Sequence, residues 1–358
     1  MRIGLLYGLG PSCSYGAAFE QIAEADHLGL DSVLFEEHHG DWGSPAVFPL
    51  ITAAAGRTKS IRVGCANRQL ALEYPINGAE DAATADIVSR GRLIFGASAG
   101  ERAAEFRAAG VPWAERESRF REGIDLLRTV WSQSNVQYIG AHYRYPLQAE
   151  GEPGWRREPL PRPFVVQWRR GQQIPRYLPM LPKPVQLPYP PIWVNATSRA
   201  IIEWAASRGL SLLVSSIETE TEVAQKVRWY DAAIAKAGRS RNEVDVALSR
   251  EVFLAEDGDK ARRTGLPGLR AYIEAVRAEG REDLATLAVA AGFGDEALLN
   301  TCALYGSVAD VIDRLLRLKA EVGVTHIVCR SHLPGRCHLD VLYSTRLIAS
   351  GIYPRLVA

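Results

Sequence analysis

No run of about 18 uninterrupted apolar residues occurs anywhere in the chain, so a membrane-spanning helix is not expected to organise it. The opening MRIGLLYGLG has one basic residue and no small-residue cleavage site after its short apolar run. This argues for a soluble, cytoplasmic protein. Cysteine is scarce: the five present (Cys13, Cys65, Cys302, Cys329, Cys337) are odd in number, widely spaced and outside any CxxC pattern. A disulfide framework or metal site is therefore not expected, and most should be buried, reduced small hydrophobes. Charge of one sign is lacking too, since 42 basic and 41 acidic residues are interspersed and leave a net +1. That disfavours nucleic acid or an anionic membrane as partner and leaves a small-molecule substrate.

What the 358 residues do contain is alternation. Short β-branched or apolar runs (Ile3–Tyr7, Ser32–Glu36, Ile61–Ala66, Leu93–Ala97, Ile192–Asn195, Leu210–Ser215, Val244–Leu254, Thr325–Cys329) are separated by helical periodicity, the mark of βαβ units around a parallel sheet. Eight such strands suit a closed α/β barrel. Ala18, Ile22, Ala25 and Leu28 share a helix face, and Gly29 follows where a left-handed residue ends a helix. Thr219 with Glu222, and Ser307 with Asp310, have capping-box spacing.

Eleven of the twenty prolines fall between Pro153 and Pro191, which makes this segment neither helix nor central strand. We read it, at about 149–191, as an excursion on one barrel face that carries Trp155, Trp168, Arg169 and Arg170.

In a parallel barrel, side chains at the carboxyl ends of the strands converge on one mouth. FEEHH ends the second strand there, so His38 or His39 is a candidate acid/base, with a solvated loop histidine as the bland explanation. GASAGERAAEF (96–106) and VNATSRA (194–200) each place small or hydroxyl residues where a strand stops and a helix begins. Either is a candidate anion cradle or merely a turn or an N-cap. GFGDEA (292–297) matches a relaxed dinucleotide fingerprint but lacks the surrounding two-halved pattern, so a nicotinamide site is not expected.

In order along the chain, FEEHH, IRVGCANRQLALEYP, PINGAEDAATADIVSRGRLIFGASAG, PKPVQLPYPPIWVNATS, EWAASRG, GVTHIVCRSHLPG and IYPRL resemble segments of the bacterial luciferase-like family of flavin-dependent monooxygenases. The resemblance covers nearly the whole chain. It implies a (β/α)8 TIM barrel with insertions as one domain over 1–358; parts of 149–181 and 255–300 fall outside the resemblance, and we read about 255–300 as a candidate mobile lid. The resemblance further implies reduced FMN from a separate reductase, O2 as co-substrate, and His38 as the catalytic histidine. A deazaflavin serves in one branch of the family, and a non-catalytic flavin carrier or partner subunit is the remaining alternative.

By position, Ala66 and Asn67 would lie beneath the flavin ring, where the family often has a non-prolyl cis peptide. Ser98, Gly100, Ala196, Thr197 and Ser198 would approach the phosphate. Many members carry Arg where this chain has Ala99, so the phosphate's cation comes from Arg102, from Arg199 or from nowhere. Asn67, Arg68 and Ala71 depart from the usual small apolar residues and turn proline, which makes the ring pocket more polar. Trp42, Trp168 and Arg330 are the candidate substrate contacts. A homodimer through the alanine-rich helix EDAATADIVSR is expected from the resemblance, with a core-facing helix as the other explanation of those alanines.

Overall fold

Alternating apolar runs produce the parallel strands in the computed structural model, which describes residues 1–9, 14–39, 44–134, 136–145, 180–278, 294–333 and 335–357. Eleven strands occur among these residues: β1 Arg2–Tyr7, β2 Ser32–Phe35, β3 Arg62–Gln69, β4 Leu93–Ser98, β5 Tyr138–Ile139, β6 Arg144–Tyr145, β7 Ile192–Asn195, β8 Ser211–Val214, β9 Val246–Leu254, β10 Ala303–Gly306 and β11 His326–Arg330. All eight expected strands are present. They pair in parallel in the order β9-β11-β1-β2-β3-β4-β7-β8, and β8 returns to β9 through Leu212↔Val246 to close the barrel. Helices separate the strands and cover the outside, giving a (β/α)8 barrel.

Three strands were not expected. β10 pairs with the outer half of β9 at Ala303↔Glu251 through Gly306↔Leu254, which extends the sheet beyond the closed barrel. β5 and β6 form a small antiparallel hairpin, too short for any periodicity to register.

The period-two alternation of a strand explains how the mouth is built. One side chain from each barrel strand (Leu6, Leu34, Ala66, Ile94, Trp193, Leu213, Ala247, Val328) meets the others in a buried apolar layer across the barrel. Trp193 fills the space left by Ala66 and Ala247, and its ring stands edge-on to buried His326 at 4.9 Å. Two residues further along five of these strands, or just beyond them, come Glu36, Asn195, Ser215, Ser249 and Arg330, which form a polar ring at the carboxyl end. A second, larger core lies between the barrel and its helices, where Trp131 donates its Nε1–H to Ala79 O at 3.0 Å.

The local signals were mostly sound. Gly29 has φ +76°, and both capping boxes form, with Thr219 and Ser307 as caps. Cys65, Cys302 and Cys329 are buried free thiols, whereas Cys337 is exposed; Cys13 lies outside the described residues. Of the proline-rich excursion only 180–191 is described, and it holds no helix before β7 opens at Ile192, with cis bonds at Leu181–Pro182 and Leu187–Pro188. Trp155, Trp168, Arg169 and Arg170 lie outside the described residues.

Within 255–300, helix Gly258–Ala278 packs Leu266, Leu269, Tyr272 and Ile273 against Phe253 and Tyr305. Gly294 precedes helix Asp295–Thr301, while Gly292 and Phe293 lie outside the described residues. The alanines of helix Pro75–Ser89 turn inward: Ala79, Ala82, Ala83 and Ala85 are all fully buried within the chain. The core-facing explanation accounts for them, so they give no support to a dimer face.

Candidate active site

The second strand ends where its apolar alternation gives way to charge, and this places His38 at the mouth with 7 % of its surface exposed. Two carboxylates flank it. Nε2 lies 3.5 Å from Glu36 Oε1, and Nδ1 lies 3.8 Å from Glu105 Oε1, too far for a hydrogen bond. Nδ1 has no hydrogen-bond partner in the structure. Glu105 comes from the short helix Ala103–Ala108 and is anchored by accepting the His39 backbone N–H at 2.7 Å.

His39 is the structural member of the pair. It is exposed, and its Nε2 lies 3.0 Å from Glu37 Oε1, a contact that raises its pKa against the opposing effect of burial. Glu37 also accepts from Arg68 Nη1 at 3.0 Å, while Arg68 Nε donates to Glu73 Oε1 at 3.0 Å. Together these residues line a cavity of about 380 Å³ beside the barrel axis, within the size range of small-ligand sites.

On the axis itself, Arg330 joins two carboxylates. Its Nη2 lies 2.7 Å from Glu36 Oε2, its Nε lies 3.1 Å from Glu251 Oε1, and its guanidinium carbon sits 4.8 Å from the Tyr272 ring centroid. The contact with Glu251 is an ion pair whose angles do not make a hydrogen bond, since neither oxygen of Glu251 has a hydrogen-bond partner. The consequences differ for the two acids. Burial alone would raise Glu36, but Arg330 and then His38 outweigh it and hold the carboxyl well below the usual carboxylate range. For Glu251 burial wins over Arg330 and Arg336, and the carboxyl is pushed up to about 7.

The cofactor candidates fall into two groups. The Ala66–Asn67 peptide is cis, as the resemblance implies. Ala66 lines the axial cavity with Glu36 and Arg330, and Asn67 Nδ2 donates to Ser98 Oγ. Gly96 is required nearby, because a Cβ there would lie 2.2 Å from Cys65 O on the neighbouring strand. The Gly100 N–H donates to Ser98 Oγ at 3.2 Å, and at φ +90° its Cβ would stand 2.4 Å from the Phe106 ring. Since Ser98 pairs in register with Asn195, the segment after β7 lies beside this one.

At three places the structure decides between alternatives that the sequence leaves open. The helix after β4 begins only at Ala103 and has six residues, so GASAGERAAEF makes no helix-start cradle. Ser198, not Thr197, caps helix Arg199–Ser207; its Oγ accepts from Ile201 N–H at 3.3 Å and donates to Glu117 Oε1 at 3.0 Å. Arg199 turns away to Glu203 (2.6 Å) with its side chain 64 % exposed, so it does not supply a cation to the mouth.

Lys226 was missed. Its Nζ donates to Ala196 O at 3.2 Å and to Glu218 Oε1 at 2.7 Å, and it lines a cavity of about 240 Å³ with Thr197. Arg102 is buried. Arg330 lines the axial cavity, with its guanidinium committed to two acids; Trp42 and Trp168 lie outside the described residues. Glu105 and Glu251 also escaped the sequence reading. A signal existed for the latter, since Arg250-Glu251 is the one charged pair inside the apolar run Val244–Leu254.

Among the described residues, no group of three or more His, Cys, Asp or Glu is placed to hold a metal ion, and no helix is long and apolar enough to cross a membrane.

The fold and motifs agree with known proteins. The pattern of the luciferase-like monooxygenase family matches residues 6–326. The F420-dependent glucose-6-phosphate dehydrogenase of Amycolatopsis mediterranei is 33 % identical over 133 residues, 35 % of this chain and 40 % of that protein. The oxygenase component of the flavin-dependent trigonelline monooxygenase of Acinetobacter baylyi is 23 % identical over 69 % of this chain and 61 % of its own length. In both cases the match spans less than two thirds of the relative. The monooxygenase RslO1 from Streptomyces bottropensis superposes with a TM-score of 0.79 at 26 % identity over 99 % of both chains. With its closed parallel barrel and a match across residues 6–326, the chain belongs to the luciferase-like monooxygenase family, whose members are oxidoreductases or monooxygenases.

Proposed function

We propose that this protein is a flavin-dependent monooxygenase that uses reduced FMN from a separate reductase, together with O2, to oxygenate a small organic substrate. It would work as one luciferase-like barrel domain, in the cytoplasm and as a homodimer. The observation that carries the reading is His38: a buried imidazole at the mouth, held between Glu36 and Glu105, with one nitrogen lacking a hydrogen-bond partner. Likeness to a monooxygenase over 99 % of both chains supports oxygenation as the reaction class.

The residues present fit a flavin phosphate through hydroxyl, backbone and cationic donors. Ser98, Gly100, Ala196, Thr197 and Ser198 would hold it, with Arg102 and Lys226 as nearby cations in place of the missing Arg at position 99. Glu117 and Glu218 already engage Ser198 and Lys226, so cofactor binding must compete with them. Ala66 and Asn67 would support the ring. When bound, the reduced flavin supplies the electrons for activating O2.

The chain's own part is threefold. His38 holds or gives a proton at the reacting oxygen. Glu36 orients the imidazole from the Nε2 side, while Glu105 flanks Nδ1 at a distance too long to fix a tautomer. Tyr272 and Arg330 narrow the mouth and exclude water. Arg330, with Trp42 and Trp168, would face the substrate.

A second reading has its own support. F420-dependent relatives occur, including a 5,10-methylenetetrahydromethanopterin reductase of Archaeoglobus fulgidus, 24 % identical over 97 % of both chains. In that reading the barrel transfers hydride with a deazaflavin and no oxygen. The test is oxygen consumption with chemically reduced FMN and a panel of small substrates, in wild type and His38→Ala. Substrate-dependent oxygen uptake lost in H38A is expected. Turnover under strict anaerobiosis with a deazaflavin would replace the first reading by the second, and failure to bind any reduced flavin would remove both.

A further inference from the structure

Behind His38 the buried charges form a line rather than a cluster. His38 Nε2 lies 3.5 Å from Glu36 Oε1, Glu36 Oε2 lies 2.7 Å from Arg330 Nη2, and Arg330 Nε lies 3.1 Å from Glu251 Oε1. The side chains of Arg330 and Glu251 are 5 % and 1 % exposed, so water screens this line poorly. Tyr272 lies over the guanidinium and limits its movement. One cation thus serves two carboxylates through two different nitrogens, and only one of them reaches the imidazole.

We propose that Glu251 is a positioning residue for His38, acting through Arg330 and Glu36. When Glu251 is ionised it shares the guanidinium, and more of the Glu36 negative charge remains to accept a proton-bearing nitrogen of His38. When Glu251 is neutral, Arg330 belongs to Glu36 alone, and Glu36 becomes a poorer acceptor for the histidine. No proton need travel along the line, because the coupling is a redistribution of one positive charge.

Both states are accessible near neutrality, because burial outweighs Arg330 and Arg336 at Glu251 and brings its pKa to about 7. The titratable and charged groups facing Glu251 are Arg330, Arg336, Glu36, Tyr305 and Cys302. Arg336 is occupied elsewhere: it donates to Ser331 O at 2.7 Å and to Gly265 O at 3.2 Å, and also to Tyr305 Oη. Burial raises the Cys302 thiol to about 11 and Tyr305 beyond the range of ordinary phenols, so neither ionises in the window where Glu251 does.

The inference rests on His38 being the working histidine, but its test does not need turnover. Protein carrying ¹³Cε1-histidine has seven signals to assign, and His38→Gln identifies the one that matters. Its chemical shift is followed from pH 5.5 to 8.5 in wild type and in Glu251→Gln, with the other histidines and far-UV circular dichroism as the check on the fold. The difference between the two His38 curves is expected to show a step near pH 7. Curves that superimpose would overturn the proposal. Should E251Q fail to fold, Glu251→Asp draws the carboxyl back from Arg330 and is expected to shrink the step relative to a fully coupled site; an unchanged His38 curve in E251D would overturn the coupling equally. Superimposed curves with His38-dependent oxygen uptake intact would remove the coupling alone. Loss of flavin binding with the step present would remove only the monooxygenase reading.

Discussion

Replacing Glu251 by Gln should make the protein's stability less sensitive to alkaline pH, and the size of the effect follows from burial. In the fold the carboxyl titrates at about 7 instead of its ordinary 4.5, so the native state binds the proton more tightly than the unfolded chain does. Where the native state holds more protons, stability falls as pH rises. The stabilising contribution of the neutral carboxyl is therefore present in full below the unfolded value and is lost progressively between pH 4.5 and 7. Integrated from pH 5 to pH 8 this is about 2.5 kcal/mol, at 1.36 kcal/mol for each tenfold difference in proton affinity.

Glutamine keeps the shape and does not titrate. The stability of E251Q relative to wild type should thus grow by about 2.5 kcal/mol across that window, or about 3 °C in Tm for a chain of this length. Two neighbouring groups leave the comparison clean. Glu36 is held low in the fold, so its contribution is lost only as pH falls below the ordinary carboxylate value, outside the window. His39 is raised, so its contribution is present at low pH and fades as pH rises through its folded value; it does so equally in both proteins and cancels. Thermal and denaturant unfolding followed by tryptophan fluorescence at pH 5, 6, 7 and 8 supplies the measurement. A flat difference would mean that Arg330 fully compensates the burial of Glu251, and a difference of opposite sign would mean that the carboxylate is stabilised in place.

Gly100→Ala should cost about 1–3 kcal/mol, because it forces a left-handed backbone and a collision with Phe106; chemical denaturation would show it, and a cost below half a kcal/mol would contradict the geometry. Lys226→Ala should weaken binding of reduced FMN about tenfold in calorimetry, as loss of a charge-assisted bond does, whereas Arg199→Ala should leave it unchanged. The reverse pattern would return the phosphate cation to Arg199.

The barrel strands were legible because each is a run of β-branched or apolar residues bounded by helical periodicity, as in Ser32–Phe35 and Ile192–Asn195. β10 was not, because the four residues ALYG carry too little pattern to separate from a loop. His38 could be picked out where polarity abruptly ends an apolar strand. Glu251 stood out only as half of a charged pair inside an apolar run, and its reach into the mouth depends on strand register, which that pair does not reveal. Glu105 depends on a six-residue helix folding back over the end of β2, and Lys226 on a helix whose start lies more than twenty residues beyond the strand it serves. Arg199 misled for the related reason that proximity in sequence to a strand end does not decide which way a helical side chain points.

The apolar layer formed by Leu6, Leu34, Ala66, Ile94, Trp193, Leu213, Ala247 and Val328 turns the barrel into a cup with a solid floor. A cup separates two kinds of inheritance. Changes in the rim can alter what is bound and transformed while the floor goes on holding the strands together, and changes in the floor tax the fold without offering any new chemistry. New specificity in this chain should therefore arise from the segments that climb above the floor, including the charged end of the second strand, and the floor should be the last part to tolerate experiment.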